Sequence, residues 1–246
     1  MDIKEFEDKD LMAERAAGFI AEKARFEIAE SGFFSMALSG GNSPREIYTR
    51  LADENRGIDW KKVYVFWGDD RYIPHDNRES NYNMAYETLL SKVKIPAHNI
   101  YRIPTEVTPI GDAAELYERI MRKFFASMKA IDVEKKMPRF GLIILGVGRD
   151  GHTASLFPGH KAVNEKARWV VNVKAHARTT LRERITITLP VINAAKNVMF
   201  VVSGEGKGGI IKDIAGSGRK KEAYPASKVN PDSGRSVWFI DKNVYE

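Results

Sequence analysis

The sequence predicts an α/β fold built on a largely parallel sheet. Short apolar runs that do not alternate, such as Phe140-Gly141-Leu142-Ile143-Ile144-Leu145, have the pattern of strands buried on both faces. These runs alternate along the chain with longer segments of helical period, the order expected when helices cross between parallel strands. Three of the runs empty into glycine-rich turns that lead toward a helix start. Such loops gather at the C-terminal edge of the sheet, where open α/β sheets hold their ligands.

In chain order, Met12, Ala16, Phe19, Ile20 and Ala24 fall near helical spacing and predict a helix from Asp10 to about Glu30, with Ser31-Gly32 as its stop. Phe33 to Leu38 reads as a strand. Ile47, Tyr48 and Leu51 then mark a helix in which Pro44 suits the first position and Ser43 the cap. A strand at Val63 to Trp67 leads into a polar loop reaching Ser80-Asn81. Helices are expected at about Tyr82 to Lys92 and Ile110 to Ala130. The second carries Ala113, Leu116, Tyr117, Ile120, Phe124 and Met128 on one face, the stripe of a helix packed on a core. Beyond the central run, strands are expected near Trp169 to Val173, Ile185 to Leu189 and Val198 to Val202, with a short helix at Pro190 to Ala195. Ser236 to Asp241 forms the last strand. No repeat, low-complexity tract or linker divides the chain, so one domain is expected over residues 1–246.

A chain of 246 residues with 43% hydrophobic content can bury one sizeable core. Its net charge of +6 is spread over pairs such as Lys61-Lys62 and Lys135-Lys136, without the aromatic interleaving of a single-strand binder. No nucleic-acid partner is expected, only a mild attraction for small anions. The absence of cysteine excludes disulfides and thiolate chemistry. The five histidines lack metal-site spacing, so the expected chemistry is metal-free. No run reaches membrane-spanning length and Met1 to Glu5 is charged, so a cytoplasmic protein with no membrane partner is expected.

The central run ends in Gly146-Val147-Gly148-Arg149-Asp150-Gly151-His152, whose glycines allow positive φ and close approach to a ligand. Asp150 and His152 lie two residues apart. A histidine can move a proton near neutral pH, and a nearby carboxylate can fix its tautomer. The alternative is a histidine that merely caps a helix starting near Thr153. Ser39-Gly40-Gly41-Asn42-Ser43-Pro44 joins a strand, a glycine turn and a helix N-terminus, which together favour an anion; the alternative is an ordinary capped turn. The loop fits neither common nucleotide-binding glycine pattern, so nucleotide binding is disfavoured. Gly68-Asp69-Asp70-Arg71 is either an ionic latch or a surface facing a polar substrate. In Ser203-Gly204-Glu205-Gly206-Lys207 the lysine can meet a phosphate as a point charge, or simply be solvated.

These stretches, with Ser80-Asn81, Arg184-Ile185-Thr186 and Gly206-Lys207 in the same order, resemble the 6-phosphogluconolactonases from about Ser35 to Asp241. The resemblance implies a modified Rossmann-type fold shared with glucosamine-6-phosphate deaminases, and a reaction without metal or organic cofactor. That reaction is hydrolysis of 6-phospho-D-glucono-1,5-lactone to 6-phosphogluconate, a step of the oxidative pentose phosphate pathway. By the same resemblance His152 is the general base that activates water, Asp150 orders the histidine loop, and Asp69 and Arg71 lie near the sugar ring. Ser43, the Gly40-Gly41 backbone, Arg184 and Lys207 would hold the 6-phosphate. The chain departs from the family pattern at Ser43, Asp70 and Arg182, where Thr, Glu and Pro are common. A monomer is expected rather than a stable oligomer.

Two rival functions remain at this stage. A deaminase would carry signatures resembling Asp-Glu-Tyr and Phe-Asn-Glu-Pro, where this chain has Asp69-Asp70-Arg71 and Leu156-Phe157-Pro158-Gly159. A non-catalytic sugar-phosphate sensor would be expected to carry a DNA-binding segment, for which there are few residues before Ser35.

Overall fold

The computed structural model describes all residues except 54–55, 176–180 and 217. Its centre is a parallel six-stranded sheet in the spatial order β1 (Asp2–Phe6), β11 (Arg235–Asp241), β10 (Asn197–Val202), β7 (Leu142–Leu145), β2 (Phe34–Leu38) and β3 (Val63–Trp67). The inner strands β2, β7 and β10 are buried throughout, as their mainly apolar runs require, and the polar exceptions Ser35 and Asn197 bond Gly141 N and Gly141 O. From β2 the chain steps outward to the edge strand β3, then returns to β7 on the other side of β2 and continues through β10 to β11. The connections therefore leave β2 and β7 in opposite directions. A crevice opens beyond the C-terminal ends of these two strands, the topological switch point of the sheet.

Helices flank this sheet. In α1 (Lys9–Ser31) the Asp8 carboxylate accepts from Leu11 N at 2.7 Å, and Gly32, at φ 80°, ends the helix with its N–H on Ile28 O. Its buried face is rich in alanine, including Ala13, Ala16, Ala17, Ala21 and Ala24, which lets it lie close against α2 (Asn42–Leu51) and β2. In α4 (Ile110–Ser127) the buried stripe runs through Ala113, Tyr117, Met121, Phe124 and Phe125, slightly rotated from the expected one, with Leu116 and Ile120 half-buried at its margin. Phe124 and Phe125 pack on Phe66 of β3, and the Tyr117 hydroxyl pins the end of that strand by bonding both Trp67 N and Trp67 O. Shorter helices are α3 (Asn81–Ala85), which continues as a π turn to Leu90, α5 (Leu189–Asn193) and α6 (Gly208–Ala215). No described helix is long and apolar enough to cross a membrane.

Two features depart from the sequence expectation. β1 was not expected, because Asp2 to Glu5 are exposed and show no strand pattern; the segment pairs in register with β11 from Asp2↔Val237 to Phe6↔Asp241. Phe6 stacks on Phe239 at 5.5 Å. The polar stretch after Trp67 is also not all loop: β4 (Asp69–Arg71) joins β9 (Glu183–Ile187) and β8 (Val170–Lys174) in an antiparallel sheet of order β4-β9-β8. The strands expected near Trp169 and Ile185 thus belong to this second sheet and not to the parallel one. A two-stranded ribbon, β5 (Ile131–Asp132) with β6 (Met137–Pro138), lies between α4 and β7 in the chain.

Candidate active site

The loops after β2, β3, β7 and β10 meet at one rim of the sheet around a cleft of about 370 Å³, within the range of small-molecule sites. After β2, Gly41 at φ 105° is the N-cap of α2, so Asn42, Ser43 and Pro44 are its first three residues. The expectation that Ser43 caps and Pro44 opens the helix is corrected by two positions. The glycine turns the chain earlier, and the amide that Pro44 lacks falls among those without an intrahelical acceptor. The Ser43 hydroxyl, freed from capping, is hydrogen-bonded to the Ser203 hydroxyl at the end of β10; both are buried.

After β7 the histidine loop closes on itself. Gly148 N donates to His152 O at 2.9 Å, and Gly151 takes φ 78°. A methyl group on Gly148 would stand 2.2 Å from the His152 ring, so glycine is what lets the imidazole lie against the loop. His152 Nδ1 bonds Asp150 Oδ1 at 2.5 Å, and His152 N donates to the same oxygen at 3.1 Å. Burial pushes the Asp150 carboxyl up, but the hydrogen bond to His152, its charge and the backbone N–H groups outweigh this and hold it below the usual carboxylate range. An ionised Asp150 takes the Nδ1 proton as its hydrogen bond, which leaves Nε2 as the acceptor of the neutral ring. Phe157 covers the imidazole at 4.9 Å between ring centroids. Residues 153–156 form a tight turn with a Thr153↔Leu156 bridge, so no helix begins there for His152 to cap.

The second sheet sorts out Gly68-Asp69-Asp70-Arg71. Register places Arg71 opposite Arg184 and Asp69 opposite Thr186, and strand alternation sends Asp69 and Arg71 to one face and Asp70 to the other. Asp70 is the latch. Its buried carboxylate accepts from Arg71 N at 2.7 Å, Asn81 N at 2.8 Å, Tyr82 N at 3.0 Å and Ser80 Oγ at 3.0 Å, which ties β4 to the N-terminus of α3. Burial pushes this carboxyl up to about 6 against those N–H groups. Asp69 instead lines the cleft, and its Oδ2 accepts from Ser155 Oγ at 2.6 Å. Two arginines directly opposite each other repel unless an anion or carboxylate lies between or beside them. Burial lowers the Arg184 pKa, Asp69 opposes that, and Arg71 adds to it. The Arg71 guanidinium donates to Glu79 O, while its buried Nε has no partner among the described residues.

Lys207 sits at the N-cap position of α6, where burial and then the nearby Arg149 pull its ammonium pKa down. The cleft therefore gathers Gly40, Gly41, Ser43, Asp69, Arg71, His152, Arg184 and Lys207. Asp150 does not line it and reaches it only through His152. Arg182 is exposed on β8's side of the molecule, with Nε near Ala175 O at 3.5 Å, and is not part of the cleft wall. Asn81, Ser39 and Phe157 also line the cleft, with no role read for them in the sequence. Each stands in a stretch that the sequence marks, Ser39 in the anion loop, Asn81 in Ser80-Asn81 and Phe157 after the histidine loop, but none carries a chemistry of its own there. Among the described residues no group of three or more His, Asp and Glu side chains is placed to hold a metal ion.

The fold and the cleft define a class, that of modified Rossmann-type α/β proteins with a small cation-lined cleft at the switch point of the sheet. The chain belongs to the glucosamine-6-phosphate isomerase/6-phosphogluconolactonase family, whose model matches residues 7–238. It is 36% identical over 240 residues to a 6-phosphogluconolactonase of a Synechocystis species, covering 97% of this chain and 95% of that one. It is 38% identical over 249 residues to the probable 6-phosphogluconolactonase 1 of rice, covering 98% of this chain and 82% of the relative. The crystal structure of 6-phosphogluconolactonase from Thermotoga maritima superimposes with a TM-score of 0.82 at 29% identity, covering 98% of this chain and 99% of that one. The enzyme from Trypanosoma brucei does so with a TM-score of 0.82 at 27% identity, covering 99% of this chain and 97% of that one.

Proposed function

We propose that the protein hydrolyses 6-phospho-D-glucono-1,5-lactone to 6-phosphogluconate, without metal or organic cofactor. The observation that carries this is His152, held from behind by Asp150, on one wall of a cleft that also holds Arg71, Arg184 and Lys207. The Gly40-Gly41 backbone, Ser43, Lys207 and Arg184 hold the 6-phosphate, supported by the donors of the α2 N-terminus. Asp69 and Arg71 meet the ring hydroxyls. His152 Nε2 takes a proton from water as the oxygen attacks C1, and the tetrahedral intermediate forms with its negative charge near the cationic wall. Collapse breaks the bond between C1 and the ring oxygen. The imidazolium returns its proton to that oxygen, and the products are a free hydroxyl and a carboxylic acid that ionises to the carboxylate by releasing its proton to solvent. Asp150 keeps the imidazole in the required tautomer throughout.

A deaminase reading is disfavoured because, among the described residues, the aromatic ring of Phe157 stands against His152 and its carboxylate partner is Asp150 alone. The test is an assay of the purified protein on freshly generated lactone, with ammonia release from glucosamine 6-phosphate run in parallel. Lactone opening above the uncatalysed rate without ammonia is expected. Ammonia release with no lactone opening would overturn the proposal.

A further inference from the structure

We infer that Asn81 is a positioning residue of this site, and that position 40 is glycine in order to admit the Asn81 carboxamide rather than to give the backbone freedom. The inference rests on the lactonase reading above. Gly40 does not occupy the left-handed region, so its conformation makes no demand for glycine. Space does. A methyl group at Gly40 would stand 1.9 Å from Asn81 Oδ1 and 2.4 Å from its Cγ, far inside any tolerable contact.

The carboxamide therefore lies directly over the turn after β2. It is 3% exposed, lines the cleft, and donates through Nδ2 to Asp69 O at 2.9 Å and, more weakly, toward Asp69 Oδ1 at 3.5 Å. The other carboxylate oxygen of Asp69 is held by Ser155 from the histidine loop. Asp69 is thus fixed between two neutral donors, one from α3 and one from the loop that carries His152. The Asn81 backbone is itself anchored, because its N–H is on Asp70. The side chain joins three pieces that are distant in the chain: the anion loop, the carboxylate of β4 and the start of α3. Its task is to set Asp69 against the sugar ring, while the phosphate is held by other groups.

Paired substitutions test this. Asn81→Ala is expected to lower kcat/KM about tenfold and Gly40→Ala about a hundredfold, because the new methyl group evicts the carboxamide. The double variant is expected close to Asn81→Ala alone, since residues in contact are non-additive. Losses that simply multiply would overturn the inference. If Gly40→Ala does not fold, Asn81→Asp decides the matter. It keeps the shape but places a carboxylate against Asp69 O and Oδ1. The expected result is a loss of about a hundredfold in kcat/KM and weaker inhibition by 6-phosphogluconate, with inhibition by inorganic phosphate within about twofold of the parent and Tm nearly unchanged. Unchanged kinetics would overturn the positioning role. A parallel fall in Tm, phosphate inhibition and product inhibition would do so too, because it marks a purely structural residue. A parent protein that does not open the lactone would refute the lactonase reading instead, and the binding measurements would still report on Asn81.

Discussion

Replacing Asp150 by Asn keeps the side-chain size and removes its charge. Against the effect of burial, the hydrogen bond and charge of His152 hold the Asp150 carboxyl below its usual range, so the side chain is an ionised acceptor that keeps the proton on Nδ1 and leaves Nε2 to take a proton from water. A hydrogen bond to an ionised group is worth roughly 1.5 to 3 kcal/mol. The two side chains are 34% and 45% exposed, so the lower end of that range applies, about 1.5 kcal/mol. Without the carboxylate the proton is no longer held on Nδ1. The value of kcat/KM is therefore expected to fall about tenfold, because the ring spends less time in the tautomer that presents Nε2 to the water. The assay is the initial rate of lactone opening from about pH 5 to 8, with the hydroxide-driven blank subtracted at each point. His152→Asn sets the floor, with kcat two to four orders of magnitude down and inhibition by 6-phosphogluconate retained. An Asp150→Asn variant whose kcat/KM matches the parent's across that range would refute the argument, because the carboxylate would then not act through His152.

The phosphate assignment predicts that Arg184→Ala and Lys207→Ala each lower kcat/KM by about one to two orders of magnitude, the scale of a charged hydrogen bond of roughly 1.5 to 3 kcal/mol. On non-phosphorylated gluconolactone both variants should match the parent, and full efficiency of both on the phosphorylated lactone would place the anion elsewhere. Exhaustive chelation should leave activity within error of the untreated protein, whereas a loss restored by Zn²⁺ or Mg²⁺ would refute the metal-free route. Glu165 predicts a pH-dependent contribution to stability. The N–H groups of Ala167, Arg168 and Lys166 hold its carboxyl at about 2 against the effect of burial, below an ordinary value of about 4.3. A lowered carboxyl contributes fully above its unfolded-state value and loses that contribution as pH falls toward the folded one. Glu165→Gln should therefore cost about 1 to 2 kcal/mol at pH 7, discounted for its partial exposure. Urea unfolding should show the gap to the parent closing between about pH 4 and 2, and a gap independent of pH would exclude the mechanism.

What could be read without coordinates is what depends on neighbours in the chain. The inner strands announce themselves because a strand covered on both faces has to be almost wholly apolar, as Leu142 to Leu145 are. The glycine turns, the helical period of α4 and the spacing of Asp150 from His152 are local in the same sense, and two residues are enough to bring that carboxylate onto Nδ1. Long-range pairing left no such mark. β1 shows exposed side chains because its stability comes from backbone bonds to β11, more than two hundred residues away, and backbone bonding leaves no side-chain pattern. The same holds for β4, where the partner strand β9 decides that Asp69 faces the cleft, that Asp70 turns to cap α3, and that Arg71 lies opposite Arg184. The helix start at Asn42 rather than Pro44 followed from the φ of one glycine, and the glycine at 40 followed from a carboxamide forty-one residues further on. Proximity of residues remote in sequence is created by folding, and only the folded chain states which of the candidate groups share one cleft.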